Sequence, residues 1–251
     1  MEEIVLASAS PRRRELLTQI GIVHRVVPSL KEEVIQGSCP IEIVQNLARQ
    51  KAEDVASNLQ IPGRLVLGAD TVVVFEDQIL GKPLDDEEAF RMLSSLQGNT
   101  HQVYTGVAFC VWQEVTAGAE LSGKAEDMAA GAWVSGKAED TAAEVWVSGK
   151  EEDTPAVSLA EGKAGKLVTH IFYEETKVEV YPMTEEEIRA YLKTGDGKDK
   201  AGSYGIQGPF GAYIKGIQGD YYNVVGLPIG RVYQELKGFA RYSEQAKRSV
   251  E

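Results

Sequence analysis

Three consecutive arginines, Arg12 to Arg14, follow the small-residue turn Ser8-Ala9-Ser10 and crowd the start of what reads as a helix. The first turn is the positive end of a helix dipole, so each cation there loses about 0.3–1 kcal/mol. An anion reverses that sign, because free backbone N–H groups at a helix start together with guanidinium groups make a phosphate site. The plain alternative is three solvated side chains. Lys51 is a second oddity, falling on the same helical face as Val44, Leu47, Ala48 and Val55. Such a lysine either snorkels to water or reaches an anion. A third is Asp70, inside the run RLVLGADTVVVF at 64–75. A carboxylate there is costly to desolvate unless it is paired or metal-bound, or unless Gly68-Ala69-Asp70 is a turn between two short strands. With Lys82 in the turn Gly81-Lys82-Pro83 and Glu33 after Lys31-Glu32, these residues suit metal-assisted attack of water on a polyphosphate. Cations neutralise the oxygens, a hard divalent cation takes carboxylate ligands, and one carboxylate orients or deprotonates water.

The elements that must position these groups follow from pattern. Ile4 to Ala7 reads as a buried strand, Ser10 as an N-cap, and Pro11 as the first position of a helix whose apolar stripe is Leu16, Leu17 and Ile20. His24 to Pro28 is extended, and a helix is predicted from Pro40 to Asn58. Asp85 and Glu88 open a helix ending near Gly98, and the alternation Val103, Thr105, Val107, Phe109, Val111 marks a strand over 101–112. LVTHIFYEETKVEVYPM is one bent strand or two short ones, and Thr184 with Glu187 is a capping box for a helix stopping at Gly195. The glycine-dense run 195–228 implies backbone in close approach to a ligand. A last helix runs from Pro228 to Phe239, with a fraying polar tail from Arg241.

The chain has 251 residues, 43% of them hydrophobic, enough for one large domain or two lobes. A formal charge of -12 excludes a general nucleic-acid-binding surface while leaving room for a small anion in a local basic pocket. No basic leader, no long apolar run and no cysteine framework around Cys39 and Cys110 are visible, which points to a cytoplasmic protein with no membrane partner. His24, His101 and His170 read as structural. A P-loop, a G-x-S-x-G elbow and an HExxH motif are absent, which disfavours a kinase, a serine hydrolase and a zinc protease. Between residues 113 and 166 lies a tandem repeat of period 13, with copies starting at Ser122, Ser135 and Ser148. We read it as a surface insertion, a β-meander or a loop, with an interaction arm using Trp133 and Trp146 as the sharper alternative.

The ordered motifs SASPRR (8–13), LARQKA (47–52), GADTVV (68–73), GKP (81–83), DKAGSYGIQG (199–208) and GDYYNVVGLP (219–228) resemble the Maf family of nucleoside triphosphate pyrophosphatases. The resemblance covers residues 3–112 and 167–238. It implies an elongated α/β fold over 1–251, with a central mixed sheet, flanking helices and two lobes around a cleft, similar to the inosine triphosphate pyrophosphatases. It also implies hydrolysis of a nucleoside triphosphate to the monophosphate and pyrophosphate with a divalent metal cation, Mg²⁺ or Mn²⁺, in a homodimer. By position Asp70 matches the family's general base, Glu33 and Lys51 the acid and lysine of its cleft, and Lys82 the lysine of its GKP turn. Glu33 and Asp70 are then the metal ligands, and Ser8, Ser10, Arg12 and Arg13 hold substrate. Arg12, Thr71 and Gln207 match positions associated with substrate choice and look like the dTTP and UTP branch. The Gln207 amide carries both a donor and an acceptor that suit a pyrimidine edge. A role in septum formation through protein contacts, and nucleotide sensing without turnover, are the alternatives.

Overall fold

The structure, a computed structural model, describes residues 2–114, 144–146 and 165–248. In chain order the elements are β1 (Ile4–Leu6), α1 (Pro11–Gln19), β2 (His24–Val26), α2 (Pro40–Leu59), β3 (Leu65–Phe75) and β4 (Gln78–Leu80). They continue with α3 (Asp86–Leu96), β5 (Thr100–Glu114), β6 (Glu144–Trp146), β7 (Gly165–Val180) and α4 (Glu185–Lys193). After two 3-10 turns, Ala201–Ser203 and Pro209–Tyr213, come β8 (Ile214–Gln218), α5 (Tyr221–Val225) and α6 (Ile229–Arg248). The fold is mixed α/β, with helices flanking a central mixed sheet. The 64–75 run is one unbroken strand, so the turn at Asp70 does not form, and β7 is likewise a single strand. The last helix continues to Arg248 where the sequence suggested fraying from Arg241. Its buried first turns pay the nucleation cost, and the Ala, Glu, Gln, Lys and Arg residues that follow favour propagation.

The sheet order is β2-β1-β3-β5-β7-β6, with β4 also on β3 and β8 also on β7. β1 is parallel to both β2 and β3, while the long β3, β5 and β7 pair antiparallel. The chain leaves β1 for β2 on one side and crosses through α2 to β3 on the other. That makes the carboxyl end of β1 a topological switch point, the place where open α/β sheets form a crevice. The outer edge of β3 pairs with β1 at Val66 and Leu67 and with β4 from Val73 to Phe75. Among the described residues, Gly68–Val72 has no strand on that edge, and Asp70 and Thr71 lie in the gap.

The long strands run through two cores. Leu67, Ala69, Val107, Phe109 and Phe172 belong to one, beneath α1 and the first turns of α6. Val73, Val103, Val178 and Val180 belong to the other, with α3, α4 and Phe210. Thr71 and Thr105 fall between them, while Asp70, one residue earlier on β3, points to the other face. On the opposite face α2 lies directly on the sheet, packing Ala48, Ala52 and Val55 against Val66, Ala108 and Cys110. Burial pushes the Cys110 thiol up to about 12, so it remains a small apolar group.

The approach of α2 depends on two glycines. A Cβ on Gly68 would lie 2.2 Å from Ala48 O, and one on Gly106 would lie 2.3 Å from Val44 O. Both obstacles are helix backbone and cannot rotate aside. Gly106→Ala is therefore expected to lift α2 from the sheet and destabilise the protein by about 1–3 kcal/mol, measured as a lower urea midpoint. A midpoint equal to the parent's would show that the helix is free to shift.

Candidate functional site

All ten residues singled out from the sequence line one cleft of about 860 Å³: Ser8, Ser10, Arg12, Arg13, Glu33, Lys51, Asp70, Thr71, Lys82 and Gln207. Its volume lies within the usual range for small-molecule pockets. The loop from β1 into α1 forms one end. Ser10 occupies the N-cap in an extended conformation but makes no side-chain cap bond, and the first turn holds no acid. The dipole and the first-turn N–H groups of α1 are thus left to whatever occupies the cleft.

The arginines divide by environment. Arg14 is exposed and Arg12 half-buried, but Arg13 is buried. Arg13 donates from Nε to Gly226 O (2.8 Å), from Nη1 to Ala69 O (2.8 Å) and Ser8 Oγ (3.1 Å), and from Nη2 to Thr71 Oγ1 (3.0 Å). Its guanidinium so fills the gap in the β3 edge with neutral acceptors. Burial lowers its pKa, and the charge of Asp70 works the other way. A buried cation bonded to neutral groups leaves a positive field in the cleft. The Thr71 hydroxyl, engaged by Arg13, also lies 2.9 Å from Thr105 Oγ1.

α2 brings charged side chains together. Lys51 reaches an anion: its Nζ lies 2.5 Å from Asp70 Oδ1 and 3.1 Å from Glu33 Oε1. Lys51 and Asp70 are only 14% and 15% exposed, while Glu33, on the loop before α2, is 51% exposed. It is Glu33 and not its neighbour Glu32 that meets the lysine. Asp70 and Glu33 offer hard oxygen donors on one side of the cleft. Magnesium is ordinarily held by one or two carboxylates, with waters and substrate phosphates completing its shell, and this donor set fits that pattern. Among the described residues no group of three or more His, Cys, Asp or Glu could hold a metal ion by itself.

The opposite wall carries residues that the sequence reading did not single out. Lys200 Nζ donates to Asp196 O and to Asp199 Oδ1 (2.9 Å), and Arg12 Nη1 crosses the cleft to Asp199 Oδ2 (3.2 Å). Burial works against the Asp199 carboxylate, but hydrogen bonds from Lys200 and Arg12 prevail and hold its pKa below the usual value. Asp196 accepts from Tyr191 Oη (2.9 Å) and lies against the Gln207 loop, where a Cβ on Gly208 would be 2.6 Å from its Oδ2. Tyr204, which lines the cleft, is 2.7 Å through its hydroxyl from His101 Nε2. Asp196, Asp199, Lys200 and Tyr204 sat in the run 195–228, whose glycine density signalled close approach but not which acids or rings would converge.

His101 is fully buried, and its pKa falls to about 4 because burial disfavours the imidazolium. The folded value is depressed below the unfolded one near 6.5, so between pH 6.5 and 4 the unfolded chain binds a proton that the folded protein refuses. Stability present above pH 6.5 is lost as the pH falls, by about 3 kcal/mol for the full interval. His101→Gln should shrink the stability difference between pH 7 and pH 4 by about that amount, read by urea unfolding at each pH. Identical pH slopes in parent and variant would show that His101 titrates normally.

The family described as Maf-like protein matches residues 3–130 and 135–239. A protein of Agathobacter rectalis named dTTP/UTP pyrophosphatase is 45% identical over 248 residues, spanning 94% of this chain and 97% of that one. Proteins of the same name from Lachnoclostridium phytofermentans and Bacillus cereus are 37% and 42% identical, each across 95% of this chain and 96% and 91% of their own lengths. A HAM1 protein structure from Coxiella burnetii is similar at a TM-score of 0.32 and 19% identity over 43% of this chain and 63% of that one, too small a match to speak to the fold. No helix among the described residues is long and apolar enough to cross a membrane. The arginine-lined helix start, the lysine between two carboxylates and the glycine loop lie within the matched stretches, and the chain belongs to the Maf-like protein family.

Proposed function

We propose that the cleft hydrolyses nucleoside triphosphates, dTTP and UTP foremost, to the monophosphate and pyrophosphate. The observation that carries this reading is Lys51 bridging Asp70 and Glu33 beside a helix start furnished with Arg12 and Arg13. The printed names of the relatives supply the nucleotide class. The triphosphate lies along the α1 start, its oxygens neutralised by Arg12, Lys82 and the field of Arg13, with Ser8 and Ser10 at the turn. Arg12 exchanges Asp199 for phosphate as substrate enters. Asp70, held in orientation by Lys51, accepts a proton from the water that attacks the α–β phosphoanhydride, and pyrophosphate leaves as that P–O bond breaks. When bound, Mg²⁺ or Mn²⁺ supplies charge neutralisation and polarises the phosphoryl oxygens, and Glu33 and Asp70 are the residues that would hold it. Gln207 reads the pyrimidine edge from the opposite wall, and Thr71 acts on substrate choice through its bond to Arg13. The same reading makes the protein a cytoplasmic homodimer with a house-cleaning role on free nucleotides.

Residues 113–166 are, on this reading, an insertion in a single α/β domain. Glu114 and Gly165 face each other in the β5–β7 ladder, a junction that a hairpin turn of two residues could close. Of the repeat segment, Glu144–Trp146 adds an edge strand to β7. The proposed arm residue Trp133 and the copies at Ser122, Ser135 and Ser148 lie outside the described residues.

Asp70→Asn is expected to lower pyrophosphate release from UTP by about 10²–10⁴-fold with folding intact, and chelation of the metal should silence the parent enzyme. Full turnover in Asp70→Asn would sink the assigned base. Across a panel of dTTP, UTP, CTP and 7-methyl-GTP, turnover should concentrate on the first two. Deleting residues 118–162 should leave hydrolysis unchanged; loss of the folded state would show that the segment belongs to the domain.

A further inference from the structure

The loop between β2 and α2 carries Glu33 but has little of its own to hold it. Residues 30–38 are all exposed and form no helix or strand. Its apolar side chains do not anchor it, since Leu30 is 94%, Ile35 73% and Val34 50% exposed. The exposed Glu33 carboxylate cannot by itself order the loop, because ion pairs at such exposure contribute little against the backbone entropy lost.

What fixes the loop is a stripe on α2. Glu42, Asn46, Gln50 and Asp54 recur at four-residue spacing, which places them on one face of the helix. Each bonds the loop. Glu42 accepts from Ser38 N–H (2.7 Å) and Ser38 Oγ (3.0 Å), and Asn46 Nδ2 donates to Gln36 O (3.1 Å). Gln50 Nε2 donates to Val34 O (2.7 Å) while its Oε1 accepts from Val34 N–H (3.0 Å), and Asp54 accepts from Ser29 Oγ (2.7 Å). The loop therefore runs antiparallel along the helix, pegged at 38, 36, 34 and 29 against 42, 46, 50 and 54. Bonds from Ser38 also hold the Glu42 carboxyl below its usual pKa, keeping that peg ionised.

We infer that Gln50 is the positioning residue for Glu33. Among these pegs it pairs with the loop backbone in both directions, as a neighbouring strand would, and so fixes translation along the helix as well as distance. Its partner Val34 follows Glu33, and Lys51 follows Gln50, so the pair Gln50–Val34 sets the register of the adjoining pair Lys51–Glu33. The inference rests on the reading that Glu33 serves the reaction.

The test uses the full chain with Mg²⁺ and UTP, comparing the parent with Gln50→Ala, Gln50→Glu, Glu33→Gln and the double variant Gln50→Ala/Glu33→Gln. Gln50→Ala should lower kcat by about 10-fold through misplacement of Glu33. Gln50→Glu, which keeps the acceptor for Val34 N–H and loses the donor to Val34 O, should fall between parent and Gln50→Ala. The double variant should be no slower than Glu33→Gln alone, because Gln50 acts through Glu33. A second readout is independent of turnover: amide exchange at Val34 should speed up in Gln50→Ala and not in Glu33→Gln, at unchanged thermal midpoint. Multiplying defects in the double variant, or unaltered Val34 exchange in Gln50→Ala, would overturn the inference. Parent-like turnover in Glu33→Gln would remove the role of Glu33 itself, whereas an impaired Glu33→Gln beside a parent-like Gln50→Ala would overturn only the positioning role.

Discussion

Lys51 and Asp70, their charged atoms 2.5 Å apart and both largely buried, join the helix that lies on the sheet to the strand that runs through both cores. Without Asp70 the largely buried lysine would keep only the exposed Glu33 as a partner, so the pair constrains everything around it. α2 must lie close enough for a lysine to span the distance, and that is why Gly68 and Gly106 carry no side chain beneath Ala48 and Val44. Strand β3 must hold Asp70 on the α2 face, which its period of two does by placing Gly68, Asp70, Val72 and Val74 together on that side. The backbone is therefore tightly packed directly beside the group that does the proposed chemistry.

The cleft exists because the sheet is interrupted where the charges meet. β1 is only three residues long, and β4 begins to pair only at Val73, so β3 shows an open edge between them. Arg13 enters that gap and bonds the leftover carbonyl of Ala69, which couples the N-terminal helix to the strand floor through a fixed cation. Negative charge on one wall, in Asp70 and Glu33, thus faces positive charge at the helix start. The separation suits a substrate that carries its own negative charge at one end and has to be attacked by water at the other.

The far wall is built by a different kind of constraint. The Gln207 loop owes its shape to polar side chains packed against glycine backbone. Asp196 lies beneath Gly208, Tyr191 bridges Asp196 and Gly205 N–H, and His101 supports Tyr204 from below. Burial holds His101 neutral, and the Tyr204 hydroxyl is pushed well above its ordinary range, so that contact stays uncharged at physiological pH. On the proposed reading such a wall presents a fixed face to a base, while the Arg12–Asp199 bridge across the cleft is exposed enough for an entering anion to displace.

Much of this was legible in the chain itself. The periods of two and 3.6 located the helices and the long strands, and a charge placed against its pattern marked Lys51, Asp70 and the arginines, because burying or misplacing a charge is costly enough to need a reason. The Thr184–Glu187 capping box, a purely local device, forms as read. Local pattern could not say which anion Lys51 would meet, since Asp70 comes near only through the crossover from β2 to β3 and the register of helix on sheet. Nor could it show that Thr71 would be taken up by Arg13, or that Asp196, Asp199, Lys200 and Tyr204 would gather on one wall. Sequence determines what each segment buries and where its charges are out of place; the strand order and the packing of α2 determine which of those charges face one another, because contacts between distant segments depend on the closed fold and leave no local period.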